Sequence, residues 1–243
     1  MRSPDPFGRA VLDFHRGKQE RPCMTERDDG YVWREPMLPY FVREQGWTEK
    51  EREILYSARP RALDIGCGPG RHLLDLQDRL FAVGLDVSEP VLRVCKERGG
   101  RNLVLGSARR LPFKEGAFGT VLLMSNGLGI LGGIDITVEM LRETRRVLSD
   151  LDGNLIAHTT DPLAEESGVG EDYISKNESE GRPPGLLRIR LRYGDVVGPW
   201  FSLMLLTPEE VEDVLDRSGF EVVREVEWGP TWAGSQLYLA RVT

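Results

Sequence analysis

Arg61-Ala-Leu-Asp-Ile-Gly-Cys-Gly-Pro-Gly-Arg71 is the stretch whose reading decides the fold. Ala62 to Ile65 form a short apolar run broken by one carboxylate, Asp64, as in a buried strand near its end. Glycines follow at alternate positions, Gly66, Gly68 and Gly70. Leu73, Leu76 and Leu80 then recur with helical spacing. The order is strand, glycine turn, helix. Glycine lets a backbone turn sharply and approach a ligand closely, and an open α/β sheet binds its ligands outside the carboxyl ends of its strands.

The spacing narrows the ligand. A dinucleotide loop reads G-x-G-x-x-G, but here Arg71 stands where its third glycine would fall. A Walker A loop needs G-x-x-x-x-G-K-[ST], and the chain has none. Leu63-Asp-Ile-Gly-Cys-Gly-Pro-Gly70 instead resembles motif I of the class I S-adenosylmethionine-dependent methyltransferases. The resemblance covers about residues 50–243 and is strongest over 61–160. It implies an α/β fold with a seven-stranded, mostly parallel, doubly wound sheet whose last strand is antiparallel. S-adenosyl-L-methionine is the implied cofactor, held by Asp64, Gly66, Cys67, Gly68 and Gly70.

Working outward, Phe81-Ala-Val-Gly-Leu-Asp86 is a second apolar strand ending in an acid, and Ser88 is placed to cap the next helix. An acid some way past a glycine loop, at the end of the second strand, is placed for both hydroxyls of a ribose. The resemblance assigns Asp86 that role, with Val87 beside it. At the third strand the family commonly has Gly-Asp-Ala against the adenine. This chain has Gly106-Ser107-Ala108 before Arg109. A serine hydroxyl still accepts a hydrogen bond, although it is neutral and short. Thr120 to Met124 form a continuous apolar run leading to Ser125-Asn126-Gly127, where the family meets the sulfonium and the acceptor. Asn126 reads either as a turn residue or as the group that orients the acceptor or touches the cofactor. Asn/Asp-Pro-Pro-Tyr, the mark of amino-methylating nucleic-acid enzymes, is absent. His158, near the end of the fifth strand, is a satisfied structural histidine or a general base.

Net charge is −7 and the pI is near 5.2. This argues against nucleic acid as a dominant partner, because a phosphate backbone needs a basic face. No apolar run is long enough for a bilayer, and Met1 to Glu20 carry charge throughout. Cys23, Cys67 and Cys95 lack metal or redox spacing, so no metal is expected and the thiols fit a cytoplasmic setting. The chain divides into an N-terminal arm and helical cover (1–57) and a methyltransferase domain (58–243) with an inserted loop and β-hairpin (161–206).

Within the cover, residues 1 to about 29 read as a mobile arm or an irregular lead-in and Met37 to Gln45 as a helix. Thr48-Glu-Lys-Glu51 reads as a capping box. Tyr31 and Trp33 are candidates for a lid over the cofactor, Tyr31 touching it. Residues 161–185 read as a loop without regular structure. Leu187-Arg-Ile-Arg-Leu-Arg-Tyr193 alternates as a strand whose three arginines share one face. Such a stripe is either a solvated surface or a cleft for anionic acceptors.

The expected activity is methyl transfer to a small molecule. Two alternatives stand beside it: a protein that binds S-adenosylmethionine or S-adenosylhomocysteine without turnover, and a nicotinamide-dependent oxidoreductase.

Overall fold

The computed structural model describes residues 4–18, 21–165, 167–228 and 234–243. The parts of the arm and loop expectations that fall on residues 1–3, 19–20 and 166 lie outside them. Seven strands make the central sheet, in the order β11-β12-β7-β6-β3-β4-β5. They are β3 (Ala62–Ile65), β4 (Ala82–Asp86), β5 (Leu103–Leu105), β6 (Thr120–Leu123), β7 (Asn154–Thr160), β11 (Phe220–Glu227) and β12 (Ser235–Val242). β3 to β7 pair in parallel, whereas β12 is inserted antiparallel between β7 and β11.

The central strands β3, β6 and β7 are buried along their whole length, and β6 accordingly reads as a continuous apolar run. Successive residues point to opposite faces. Leu63, Val121 and Leu155 pack towards α5 (Ile134–Val147) and α7 (Pro208–Asp216). Ala62, Leu122 and Ile156 pack on the other face with Ile54 and Leu55 of α2 (Glu49–Tyr56) and Leu73 and Leu76 of α3 (Leu73–Leu76). The strand order reverses at β3, between β4 and β6, which places the ligand crevice at the carboxyl ends of these strands.

The cover departs from the helical expectation. Pro6–His15 is a helix, α1, capped by Asp5, whose Oδ1 accepts the Gly8 N–H at 2.7 Å. Ala10 and Val11 are buried, and α1 packs on α4 (Glu89–Glu97) with Val91 and Val94. The arm is therefore ordered by an apolar face that its charges disguised. Residues 37–45 form no α-helix but two 3₁₀ turns, Leu38–Phe41 and Glu44–Gly46. The Pro39 and Phe41 carbonyls accept instead from Arg71 and Arg98, at 2.7 and 2.8 Å, and Arg43 pairs with Asp75. The segment is pinned across the glycine loop.

The cover and the insertion share a second, antiparallel sheet. Its order is β10-β8-β1-β2, with β9 (Val196–Val197) also on β8. β1 (Cys23–Arg27) and β2 (Val32–Glu35) come from the N-terminus, and β8 (Leu186–Tyr193) and β10 (Phe201–Met204) from the insertion. Residues 161–185, expected as loop, contain α6 (Glu171–Ser179).

This second sheet approaches the core closely where β10 meets the turn after β6. A Cβ at Gly129 would lie 1.8 Å from the Met204 carbonyl oxygen, and one at Gly132 would lie 2.4 Å from Ser202 Cβ. The glycines after β6 thus admit strand β10. Gly129 has no positive φ, so alanine there meets only this clash. Gly129→Ala is expected to lower stability by about 2 kcal/mol through forced backbone displacement, readable in a urea melt; an unchanged midpoint would contradict the seating.

Candidate functional site

The carboxyl ends of β3, β4, β6 and β7 converge. Asp64, next to last in β3, is 2% exposed, and its Oδ2 has no hydrogen-bond partner. Burial, and after it the nearby Asp86 carboxylate, push Asp64 up to about 6 against the opposing charge of His72. Gly66 and Gly68 follow with φ of +71° and +56°, and a Cβ at Gly66 would meet nothing within 4 Å. The loop is a bare, left-handed backbone cradle that faces open space. The helix after it is a single turn, α3, shorter than its leucine spacing suggested.

Asp86 ends β4. Its Oδ2 accepts from Gly68 N–H at 3.1 Å and its Oδ1 from Ser88 N–H at 2.9 Å. Burial raises its affinity for a proton and these two amides lower it, with a net upward shift. A carboxylate has about four acceptor positions, so two remain for ligand hydroxyls. Val87 and Leu105, at the ends of β4 and β5, are 72% and 53% exposed, an apolar shelf beside that acid. Ser107 Oγ accepts from Arg109 N–H at 3.2 Å, a local turn bond, and Ala108 is buried beneath it. Cys67 is a buried free thiol in the apolar layer under the loop.

At the end of β6, Ser125 and Asn126 both hold left-handed backbones, φ 53° and 59°. Such conformations cost of order 1–3 kcal/mol each and persist only where surroundings impose them. The Asn126 N–H donates to His158 Nδ1 at 2.6 Å, and Asn126 Oδ1 accepts from Thr160 Oγ1 at 3.1 Å, with Ser235 Oγ 3.2 Å from the same hydroxyl. The carboxamide is therefore oriented with its NH₂ left over.

His158 is 2% exposed, edge-on to Trp228 at 4.3 Å, and burial pushes it down to about 3. With Nδ1 accepting, the neutral ring carries its hydrogen on Nε2. Its basic nitrogen is thus engaged by the Asn126 amide. Tyr31 immediately precedes β2 and faces a separate cleft. It stacks with Trp33 and Arg27 and lines a cleft of about 550 Å³ with Asp29 and residues 169–173; no residue of the glycine loop lines that cleft.

A neighbouring cluster escaped the sequence reading. Glu51 does not return to its own helix cap; only the Thr48 half of the box forms. Fully buried, Glu51 accepts from Arg71 Nη2 at 2.8 and 3.0 Å and lies 2.9 Å from His72 Nε2. Burial opposes its charge, but His72, Arg71 and the Trp228 side chain overcome it and hold the carboxyl near 2. Arg71 and His72 directly follow the glycines, so this cluster underpins the loop. Two adjacent nitrogen-bearing side chains, Arg71 and His72, after the third glycine were the available signal. Asp5 is a second omission: its Oδ2 accepts from Ser88 Oγ at 2.5 Å, which ties α1 to the turn after Asp86.

The buried carboxylate with an orphan oxygen, the open glycine cradle and the acid with spare acceptor positions fit a ligand that carries an ammonium group and a ribose. Asp64→Asn tests this arrangement. The raised carboxyl contributes stability in full below its unfolded value of 3.8 and loses it as pH rises through about 6. At pH 7.5 the asparagine variant is therefore expected to be about 3 kcal/mol more stable than wild type, with a higher melting point, while binding the ligand more weakly. An equal or lower melting point in the free protein would contradict the assignment.

Residues 62–156 match the family described as "Methyltransferase domain". A SAM-dependent methyltransferase from Bacteroides fragilis, solved with S-adenosyl-L-homocysteine, superposes with a TM-score of 0.79 at 24% identity, over 99% of this chain and 94% of that one. The CcbJ methyltransferase from Streptomyces caelestis gives 0.63 at 19% identity, over 82% and 98%. Residues 62–156 therefore match a methyltransferase domain, and the chain has the fold of the class I methyltransferases.

Among curated relatives, an uncharacterised protein of Methanocaldococcus jannaschii is 29% identical over 175 residues, 66% of this chain and 61% of that protein. A tRNA (carboxymethyluridine(34)-5-O)-methyltransferase of Arabidopsis thaliana is 26% identical over 157 residues, 61% of this chain and 36% of that protein. The chain thus spans less than two thirds of the length of either relative.

Proposed function

We propose that this protein transfers the methyl group of S-adenosyl-L-methionine to a small-molecule acceptor held between the strand ends and the second sheet, which forms the lid. The observation that carries this reading is the seating of β10 on Gly129 and Gly132, within a few residues of Asn126, so that the lid adjoins the acceptor end of the site. Gly66 to Gly70 with Cys67 would cradle the cofactor's methionine part, Asp64 accepting from its amino group. Asp86 would take the ribose, with Val87, Ser107, Ala108 and Arg109 around the adenine. The cofactor supplies an electrophilic methyl on a sulfonium whose thioether leaves without needing a proton.

What the chain contributes is placement. Holding two reactants in near-attack geometry supplies much of such a barrier. The Asn126 NH₂, and Ser125 beside it, face that end of the site, and His158, Thr160 and Ser235 keep Asn126 in register. Since His158 Nδ1 is engaged, the acceptor must attack without a base from this residue. Tyr31, in its own cleft, is proposed as part of the lid only.

Among the described residues no helix is long and apolar enough to cross a membrane. The three buried, free cysteines support a cytoplasmic setting. Net charge and the absent nucleic-acid signature favour a small acceptor over the tRNA that one distant relative is named for.

Purified protein incubated with methyl-labelled S-adenosylmethionine and size-fractionated cell extract tests the reading. Label is expected in the low-molecular-mass fraction. Label confined to RNA or protein would overturn the small-molecule acceptor, and none in any fraction would overturn turnover.

A further inference from the structure

Paired residues in an antiparallel register share a face. On the lid sheet, Arg34 pairs with Met24 and Met24 with Arg192; Glu26 pairs with Arg190, and Ser202 with Arg188. Four arginines therefore stand on one face. The opposite face is apolar and spoken for. Leu187, Ile189, Phe201 and Leu203 pack with Tyr173 of α6, and Leu191 and Tyr193 pack with Ala10 and Val11 of α1.

The arginine face is turned towards the reaction end of the molecule at its β10 edge, since Ser202, opposite Arg188, is the residue that abuts Gly132. Charge on this face does not cancel. Glu26 accepts from Arg190 Nε and Nη2 at 3.0 and 2.7 Å and from Arg192 Nη1 at 3.0 Å. Among the described residues neither Arg34 nor Arg188 has a carboxylate partner. Four guanidinium groups thus meet one carboxylate, in a chain whose net charge is −7. Trp200 underlies the pair nearest the core, 4.5 Å from the Arg190 guanidinium and 5.9 Å from that of Arg188. A ring under a guanidinium fixes its plane; Arg188 keeps its N–H edge for donation, and Arg190, which gives Nε and Nη2 to Glu26, keeps Nη1. Residues two apart on a strand lie about 7 Å from each other on one face, a span that two phosphate or pyrophosphate oxygens can bridge.

We propose that this face binds a phosphate-bearing part of the methyl acceptor, with the Arg188 guanidinium as the principal donor and Arg190 adding the Nη1 that Glu26 leaves it. Planar guanidinium forks suit phosphate oxygens bidentately. The proposal rests on the methyltransferase reading, and its chemistry is shared by small phosphorylated molecules and a nucleic-acid backbone.

The test is calorimetric titration of inorganic pyrophosphate, and separately of a short single-stranded RNA, into protein saturated with S-adenosylhomocysteine at low salt. Pyrophosphate is expected to bind at one site. Affinity should fall about tenfold or more in Arg188→Gln and in Arg190→Gln, as loss of charge-assisted hydrogen bonds implies, and should rise in Glu26→Gln. RNA that binds more tightly, with the same pattern across the variants, would support the phosphate site and assign it to nucleic acid. No binding of either probe, or binding that none of the three substitutions moves, would overturn the proposal. S-adenosylhomocysteine titrated into the same samples separates the two failures: if it binds while the phosphates do not, the anion site alone is wrong.

Discussion

Replacing Asp86 with alanine is expected to weaken S-adenosylhomocysteine binding by about 100-fold or more, the scale of losing two hydrogen bonds to a charged group. The carboxylate spends one oxygen on the Gly68 amide and one on the Ser88 amide. It therefore shapes the glycine loop and, in the proposed function, also offers acceptors to a ribose; alanine removes both. Asp86→Asn is the milder change: its one acceptor oxygen can keep the Gly68 bond while the Ser88 bond is lost, so affinity should fall by a smaller factor. Near-wild-type affinity in the alanine variant would mean that the ribose is held elsewhere.

Replacing Glu51 with alanine carries the largest expected cost in stability. It leaves Arg71 and His72 without the buried carboxylate between them. Removing one partner of a buried ion pair costs about 3–5 kcal/mol, and at this chain length each kcal/mol moves the melting point by about 2–4 °C. A fall of about 10 °C is expected, together with weakened cofactor binding, because Arg71 also tethers Pro39 across the glycine loop. Glu51→Gln should fall less far, and its deficit should depend on pH. The carboxyl sits near 2 in the folded protein against an ordinary 4.5. Its contribution is present in full above 4.5 and is lost as pH falls through 2. The gap between wild type and Glu51→Gln should be wide at pH 7 and narrow progressively below pH 4.5. A gap that stayed constant with pH would deny the ionic account.

These two residues also mark how far the sequence could be read. Asp86 was legible because its signals are local: an apolar run, a carboxylate at its end and a capping serine two residues on. The central sheet was legible for the same reason. Glu51 was misread because a glutamate three residues after a threonine satisfies a local rule, and nothing nearby shows that its side chain will be buried against residues twenty positions later.

The lid sheet follows the same logic. Alternation over 187–193 announced a strand, but its partner β1 lies more than 150 residues earlier, and pairing at that separation has no local signature. The 3₁₀ turns of the cover failed likewise, since their carbonyls are taken by Arg71 and Arg98 of the core. At Asn126 the residue could be named, while the hydrogen bonds from Thr160 and to His158 that orient it came only with the register of β6 and β7.

Equilibrium titration of the unmodified protein with S-adenosylhomocysteine, with NADH titrated in parallel, tests the central claim most directly. The glycine loop, Asp64 and Asp86 predict a single site of micromolar affinity for S-adenosylhomocysteine and no binding of NADH. NADH binding without S-adenosylhomocysteine binding, or no binding of either, would contradict the assignment of this loop.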